Sequence, residues 1–116
     1  MIIDHERLRA FANRIVAAGG SSPDEAAFVA DHLVEANLRG HDSHGVGMLV
    51  AYVRDFEAGT LKVNQPPEIV SDTGTISVWD ARAGYGQVIA HQAVEWAIKA
   101  AKQHGVAVNG LRNAHH

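Results

Sequence analysis

The chain has 116 residues, of which 47% are hydrophobic and 20% charged, a composition typical of one small soluble globular domain rather than a disordered segment. Its net charge of −3 provides no broad basic field for nucleic acid or an anionic membrane, and the absence of cysteine excludes disulfides and cysteine-based metal sites. The N-terminus lacks the pattern of a signal peptide and no apolar run approaches a membrane span, so we expect a cytoplasmic protein.

Two helices are predicted at the start of the chain. Residues 4–18 repeat apolar side chains at helical spacing and are followed by two glycines. The second helix has a stronger start signal, because Ser22 can cap it, Pro23 occupies the first helical position and Glu25 completes a capping box. We expect this second helix to run to about Leu38.

A third helix is predicted to begin near Ser43. Gly59 is a natural residue to follow its C-terminus. Its apolar stripe is expected to comprise Val46, Leu49, Val50, Val53 and Phe56.

The second half of the chain reads as a hairpin, a helix and a strand. The segments "EIVS" (68–71) and "ISVW" (76–79) are separated by a turn and predict a short hairpin. Residues 86–103 predict an amphipathic helix that ends at Gly105. The segment "VAVNGL" (106–111) predicts a buried-type strand, which normally pairs on both sides or is followed by a packing helix.

The motif "GHDSHG" at residues 40–45 concentrates polar groups between two predicted helices. In a purely structural interpretation, Asp42 or Ser43 accepts hydrogen bonds from the free N–H groups at the start of the third helix. That interpretation does not account for His41 and His44. A histidine near a helix N-terminus tends to be neutral and can both give and accept a proton, which suits carbonyl–alcohol chemistry.

Two other segments are weaker candidates for a site. His41 and His44 lie three residues apart and could share a metal ion, but no acidic ligand is clearly placed, so no metal site is expected. The segment "AGYGQ" (83–87) lacks both the dinucleotide-binding glycine pattern and the Lys-Ser/Thr pair of a P-loop. We therefore interpret it as a connection between a strand and a helix.

The segments "LRGHDSHGVGML", "GQVIAHQAVEWAI" and "NAHH", with a tyrosine at position 52, point to a known family. They resemble the malate/L-lactate dehydrogenase family of NAD(P)-dependent oxidoreductases, which lacks a Rossmann fold, and most of all its hydroxycarboxylate dehydrogenase B-like members. The likeness extends from about residue 4 to residue 116.

The resemblance implies an α/β fold, with a helical N-terminal part leading into the first portion of a non-Rossmann mixed-sheet α/β domain. We expect the helical part to occupy residues 1–60 and the start of the central domain residues 61–116. Family members are longer, form homodimers and make most cofactor contacts beyond this stretch. The chain is therefore expected to be an N-terminal part that is inactive alone, and no cofactor-binding residue is assigned.

The resemblance also implies hydride transfer between NAD(H) or NADP(H) and a small 2-hydroxy or 2-oxo acid. His44 matches the proton donor or acceptor, and His116 matches a second active-site histidine. Ser43 and Tyr52 match positions near the substrate. Many members carry a carboxylate-binding arginine at the position of Met48. The hydroxycarboxylate dehydrogenase B-like branch has methionine there, as this chain does.

Gly45 and Gly47 are expected to let a ligand approach the motif closely. The alternative to an oxidoreductase is a stand-alone, non-catalytic helical interaction domain or a degenerate remnant. The paired motifs "GHDSHG" and "NAHH" favour the oxidoreductase, because an interaction domain needs neither. The particular acid, and the choice between NAD and NADP, are not encoded in a recognisable pattern.

Overall fold

Three α-helices precede the first strand, followed by a mixed three-stranded sheet, and this arrangement confirms the predicted fold class. The structure is a computed structural model that describes residues 1–115. It divides into two compact units, Met1–Asn64 and a second that begins at Gln65. The elements are α1 (His5–Ala18), α2 (Pro23–Leu38), a 3₁₀ turn (Asp42–His44), α3 (Met48–Glu57), β1 (Glu68–Asp72), β2 (Ile76–Asp80), α4 (Gly86–His104) and β3 (Val108–Arg112).

Helices α1 and α2 pack through faces of small and branched side chains. Small residues at this contact let the two backbones approach closely. An ion pair also links the helices, since Arg9 Nε lies 2.8 Å from Asp31 Oδ1. The buried residues of the two helices are Ala12, Val16, Ala26, Val29, Ala30, Leu33 and Val34.

The start of α2 differs from the predicted capping box. Ser22 Oγ accepts a hydrogen bond from Glu25 N at 3.2 Å, as expected. The return half of the box is absent, because the Glu25 carboxylate accepts from Ser21 Oγ at 2.7 Å and from Asn64 N at 2.9 Å. Ser22 N donates to Asn64 Oδ1 at 2.7 Å instead. Glu25 is thus a buried acceptor that joins α2 to the last residue of the first unit.

Helix α3 begins at Met48, so the prediction of a start near Ser43 was wrong. The backbone turns extended at Gly45 (φ −91°, ψ −157°), which separates the 3₁₀ turn from α3. The predicted apolar stripe is also only partly correct. Leu49 and Tyr52 are buried, one helical turn apart, whereas Val50 is 79% exposed. The buried face is therefore narrower than hydrophobicity alone suggested.

The second unit contains the predicted hairpin and a parallel crossover. β1 pairs antiparallel with β2, with an irregularity between Ile69 and Ser71, and β2 pairs in parallel with β3. Helix α4 connects the parallel pair and ends at Gly105 in the left-handed conformation, with φ 87°. Trp79 and Trp96 meet edge to face, with ring centroids 6.3 Å apart.

β3 is not the buried strand that the sequence predicted. Its residues alternate between exposed and half-buried, because within residues 1–115 it is the edge of the sheet order β1-β2-β3. Among the same residues, no helix combines the length and apolar character that a bilayer crossing requires.

Candidate functional site

The turn that carries His44 is built by backbone hydrogen bonds between α2 and α3. Gly40, with φ 81°, reverses the chain after α2, a conformation that favours glycine. His44 N then donates to His41 O at 2.9 Å, and Gly45 N donates to Asp42 O at 3.2 Å. Together these bonds place His44 on an exposed 3₁₀ turn, four residues before α3 begins.

Neither Ser43 nor Asp42 caps a helix, which corrects the structural interpretation of the motif. No side chain caps the 3₁₀ turn or α3. Asp42 Oδ1 instead accepts a hydrogen bond from Asn37 Nδ2 at 2.7 Å. Since α3 starts well after His44, the expected effect of its helix dipole on His44 also falls away, because that effect fades within the first turn.

Ser43 and His44 form a direct side-chain pair. Ser43 Oγ lies 2.9 Å from His44 Nδ1, and which atom donates depends on the histidine tautomer. Nδ1 is therefore occupied, and Nε2 makes no hydrogen bond to any other part of residues 1–115. A ring held through one nitrogen presents the other for proton exchange with a ligand.

The other predicted residues of this unit have different environments. Tyr52 is 6% exposed and lies on the buried face of α3, so it is a packed side chain, unlike the exposed His44. Gly45 has no room for a ligand, because a Cβ there would overlap the Asn37 amide, whereas the space at Gly47 is open. No cluster of three potential metal-ligating side chains occurs among residues 1–115.

The segment that leads to the second histidine motif is fixed by backbone pairing. It extends the parallel contact of β2 and β3 past both strand ends. The hydrogen bonds run from Ala81 N to Arg112 O (2.9 Å), Ala83 N to Asn113 O (2.9 Å), His115 N to Gly84 O (3.0 Å) and Gly86 N to His115 O (2.7 Å). The predicted site residue His116 lies outside the described residues.

Gly86 serves this pairing and Gly84 leaves room for the Ile89 side chain, which supports the structural interpretation of the "AGYGQ" segment. A Cβ at Gly86 would lie 2.7 Å from His115 O, and one at Gly84 would lie 2.8 Å from Ile89 Cδ1. The first amide of α4, Gly86 N, is already bonded to His115 O. The space that a phosphate would need at this helix N-terminus is therefore filled by the chain itself.

Asp80, the last residue of β2, holds the same two segments through its carboxylate. Oδ1 accepts from Arg82 N at 2.8 Å, while Oδ2 accepts from Asn113 Nδ2 at 2.8 Å and from Arg112 Nε at 3.0 Å. The Arg82 amide, followed by the Asn113 amide and the Arg112 guanidinium, lowers the pKa of Asp80 below its usual value. The charged form of Asp80 thus stabilises the folded segment.

We expect the Asp80→Asn variant to have a lower thermal midpoint than the wild type at neutral pH. A carboxylate whose pKa is lowered by folding contributes stability above its unfolded pKa, about 3.9, and loses it as the pH falls through the folded pKa. The difference in midpoint should therefore shrink on acidification below about pH 4. Thermal unfolding of both proteins across this pH range measures the difference in midpoint. A difference that does not change with pH would show that the Asp80 charge does not stabilise the folded segment.

Sequence reasoning missed two residues that organise these segments, Asn37 and Asp80. Asn37 lies four residues after Leu33 and three after Val34, and a polar side chain at the helical spacing of apolar ones was the available signal. Asp80 offered a signal as well, since this acidic residue directly follows the predicted strand segment "ISVW" (76–79). Neither signal indicates a partner, because the bonding groups lie on other segments of the chain.

Comparisons with known proteins all point to one family of dehydrogenases. A family model described as malate/L-lactate dehydrogenase matches residues 3–116. The hydroxycarboxylate dehydrogenase B of Escherichia coli O157:H7 is 43% identical over 113 residues, which are 97% of this chain and 31% of that protein. The malate/(S)-sulfolactate dehydrogenase of Methanothermus fervidus is 34% identical over 116 residues, covering all of this chain and 34% of its own length.

A solved structure shows the same fold. The malate dehydrogenase of Pyrococcus horikoshii OT3 matches with a TM-score of 0.94 and 32% sequence identity, over all of this chain and 33% of that one. The chain thus spans about a third of the length of the relatives that it matches.

Proposed function

Because the chain belongs to the malate/L-lactate dehydrogenase family, we propose that the full-length protein is an NAD(P)-dependent dehydrogenase of small 2-hydroxy acids. The observation that carries the proposal is the Ser43–His44 pair, in which Ser43 occupies Nδ1 and leaves Nε2 for a ligand. The printed names of the relatives, a hydroxycarboxylate dehydrogenase and a malate/(S)-sulfolactate dehydrogenase, support the substrate class.

His44 is assigned to the proton. Reduction of a 2-oxo acid to a 2-hydroxy acid makes the carbonyl oxygen negative, and that oxygen must receive a proton. His44 Nε2 can deliver this proton and can remove it again in the oxidation direction. Ser43 keeps the ring oriented through Nδ1. Tyr52 and His116 are proposed to lie at the substrate, on the family pattern alone.

A nicotinamide cofactor, NAD or NADP, would supply or accept the hydride when bound. The N-terminus of α4 does not fit its pyrophosphate. The α4 N-terminus is closed by His115 O, and the spaces at Gly84 and Gly86 are filled by protein atoms. We therefore derive no step through the cofactor and assign no cofactor-binding residue.

The wider organisation is proposed on the same family basis. Residues 1–60 would form the helical part and residues 61–116 the start of the central α/β domain. The full-length protein would be a cytoplasmic homodimer. Its substrate would be a small 2-hydroxy or 2-oxo acid.

The direct test is a turnover assay of the purified full-length protein. A panel of 2-oxo acids is offered with NADH or NADPH, and loss of the reduced nicotinamide absorbance is recorded. We expect turnover with at least one acid and a reverse reaction with the matching 2-hydroxy acid. The absence of turnover with every acid and both cofactors would contradict the proposal and favour the non-catalytic alternative.

A further inference from the structure

One side chain, that of Asn37, ties both ends of the turn that carries His44. Its Nδ2 donates to Asp42 Oδ1 at 2.7 Å, on the N-terminal side of the turn. Its Oδ1 accepts from Val46 N at 2.9 Å, on the C-terminal side. His44 lies midway between these two anchor points. Beside the backbone hydrogen bonds of the turn, the position of His44 relative to α2 therefore depends on this one side-chain amide.

Asparagine is suited to this task in a way that its isosteres are not. The amide offers a donor and an acceptor from one planar group, and the turn uses both. An ionised aspartate would lose the donor and bring a second carboxylate against Asp42. A leucine of similar shape would offer neither bond. The missing side chain of Gly45 provides the space in which the amide lies, since a Cβ there would overlap it.

A local role at the end of α2 does not account for these bonds. The backbone already closes that helix end, through Arg39 N to Glu35 O at 3.0 Å and His41 N to Ala36 O at 2.8 Å. The backbone carbonyl of Asn37 accepts from Gly40 N at 3.0 Å. The side-chain amide is not used in this closure and serves only the turn that follows.

We propose that Asn37 is a positioning residue for the proton transfer: it fixes the 42–46 turn on α2 so that His44 Nε2 meets the substrate oxygen at reactive distance. Asn37 itself touches no reacting atom. The inference rests on the proposed function, because Asn37 can position His44 for proton transfer only if His44 carries the proton. Removing the Asn37 amide should lower kcat because His44 would shift, and a displacement of about 1 Å can lower a rate by about 10²-fold.

The test uses the full-length protein with Asn37→Asp and Asn37→Leu. We expect kcat for 2-oxo acid reduction to fall about 10- to 100-fold, with the KM for the nicotinamide nucleotide within about twofold of wild type. The primary isotope effect measured with deuterated cofactor should not fall, because the chemical step itself has slowed. A merely unfolded fraction would lower kcat with the same unchanged KM and isotope effect, so kcat is expressed per folded protein, measured by far-ultraviolet circular dichroism. Asn13→Leu on α1 is the matched control and should retain wild-type kinetics.

Gly45 supplies a second, independent readout. Gly45→Ala should lower kcat in the wild-type background, because the new methyl displaces the Asn37 amide. In the Asn37→Ala background the same change should add little, since the amide is already gone. This comparison remains informative if Asn37→Leu folds poorly.

The outcomes separate the two proposals. If the wild type is active and His44→Ala is impaired while the Asn37 variants keep wild-type kcat, the positioning role is overturned and the proposed function stands. Additive effects of Asn37→Ala and Gly45→Ala on kcat would also count against the positioning role. If the wild type itself has no dehydrogenase activity, both proposals are overturned.

Discussion

Replacing His44 with alanine in the full-length protein is expected to lower kcat for 2-oxo acid reduction by roughly 10² to 10⁴-fold, the usual contribution of a positioned general acid–base. The expectation follows from the Ser43–His44 pair, which occupies Nδ1 and leaves Nε2 as the only ring nitrogen for the substrate. Steady-state kinetics with saturating cofactor measure the effect, which should appear in kcat more than in the KM for the cofactor.

His41→Ala is the matched control. His41 is an exposed histidine of the same loop, and its contribution to the turn is its backbone carbonyl, which accepts from His44 N. Alanine retains that carbonyl, so the variant should stay near wild-type activity. Equal losses for the two histidines, or a near-wild-type rate for His44→Ala, would overturn the assignment of the proton to His44.

The Glu25→Ala variant is expected to lower the free energy of unfolding of the first unit by about 3 kcal/mol. Glu25 is 9% exposed, and its carboxylate accepts hydrogen bonds from Asn64 N and Ser21 Oγ. Removing it leaves both donors without their acceptor, and hydrogen bonds to a charged group are the stronger class. Equilibrium urea unfolding of the 116-residue chain, followed by far-ultraviolet circular dichroism, measures the loss.

Glu35→Ala provides the comparison, since it removes the same side chain from the same helix. The Glu35 side chain is 42% exposed, and its ion pairs with Arg39 at 2.7 Å and with Arg9 at 3.8 Å lie at the surface. Such pairs contribute about 0–1 kcal/mol, so this variant should unfold close to the wild type. If Glu25→Ala is no more damaging than Glu35→Ala, the buried carboxylate does not hold the first unit together.

The sequence predicted helices and strands well where local chemistry alone decides them. Two glycines follow α1, Ser22 and Pro23 begin α2, and Gly105 ends α4. Each of these signals depends on residues within one turn of the chain. The start of α3 was misplaced because "DSHG" contains good capping residues, yet an extended Gly45 separates them from the helix.

The residues of the candidate site could be predicted, but the side chains that hold them in position could not. His44 and Ser43 could be identified from the motif, and the structure brings them together. The roles of Asn37 and Asp80 required knowledge of which segments approach each other. Burial of Leu49 and exposure of Val50 likewise depend on what α3 packs against, and hydrophobicity alone does not distinguish them.

The parallel pairing of β2 with β3 has a consequence for how the second unit forms. The β1–β2 hairpin joins neighbouring residues, whereas Ile76 meets Val108 only after the whole of α4 has been placed between them. Closing that long connection costs chain entropy before any strand bond offsets it. The hairpin and α4 should therefore gain structure first, and β3 should dock last. We therefore expect the segment that leads to the second histidine motif to be completed in the final stage of folding.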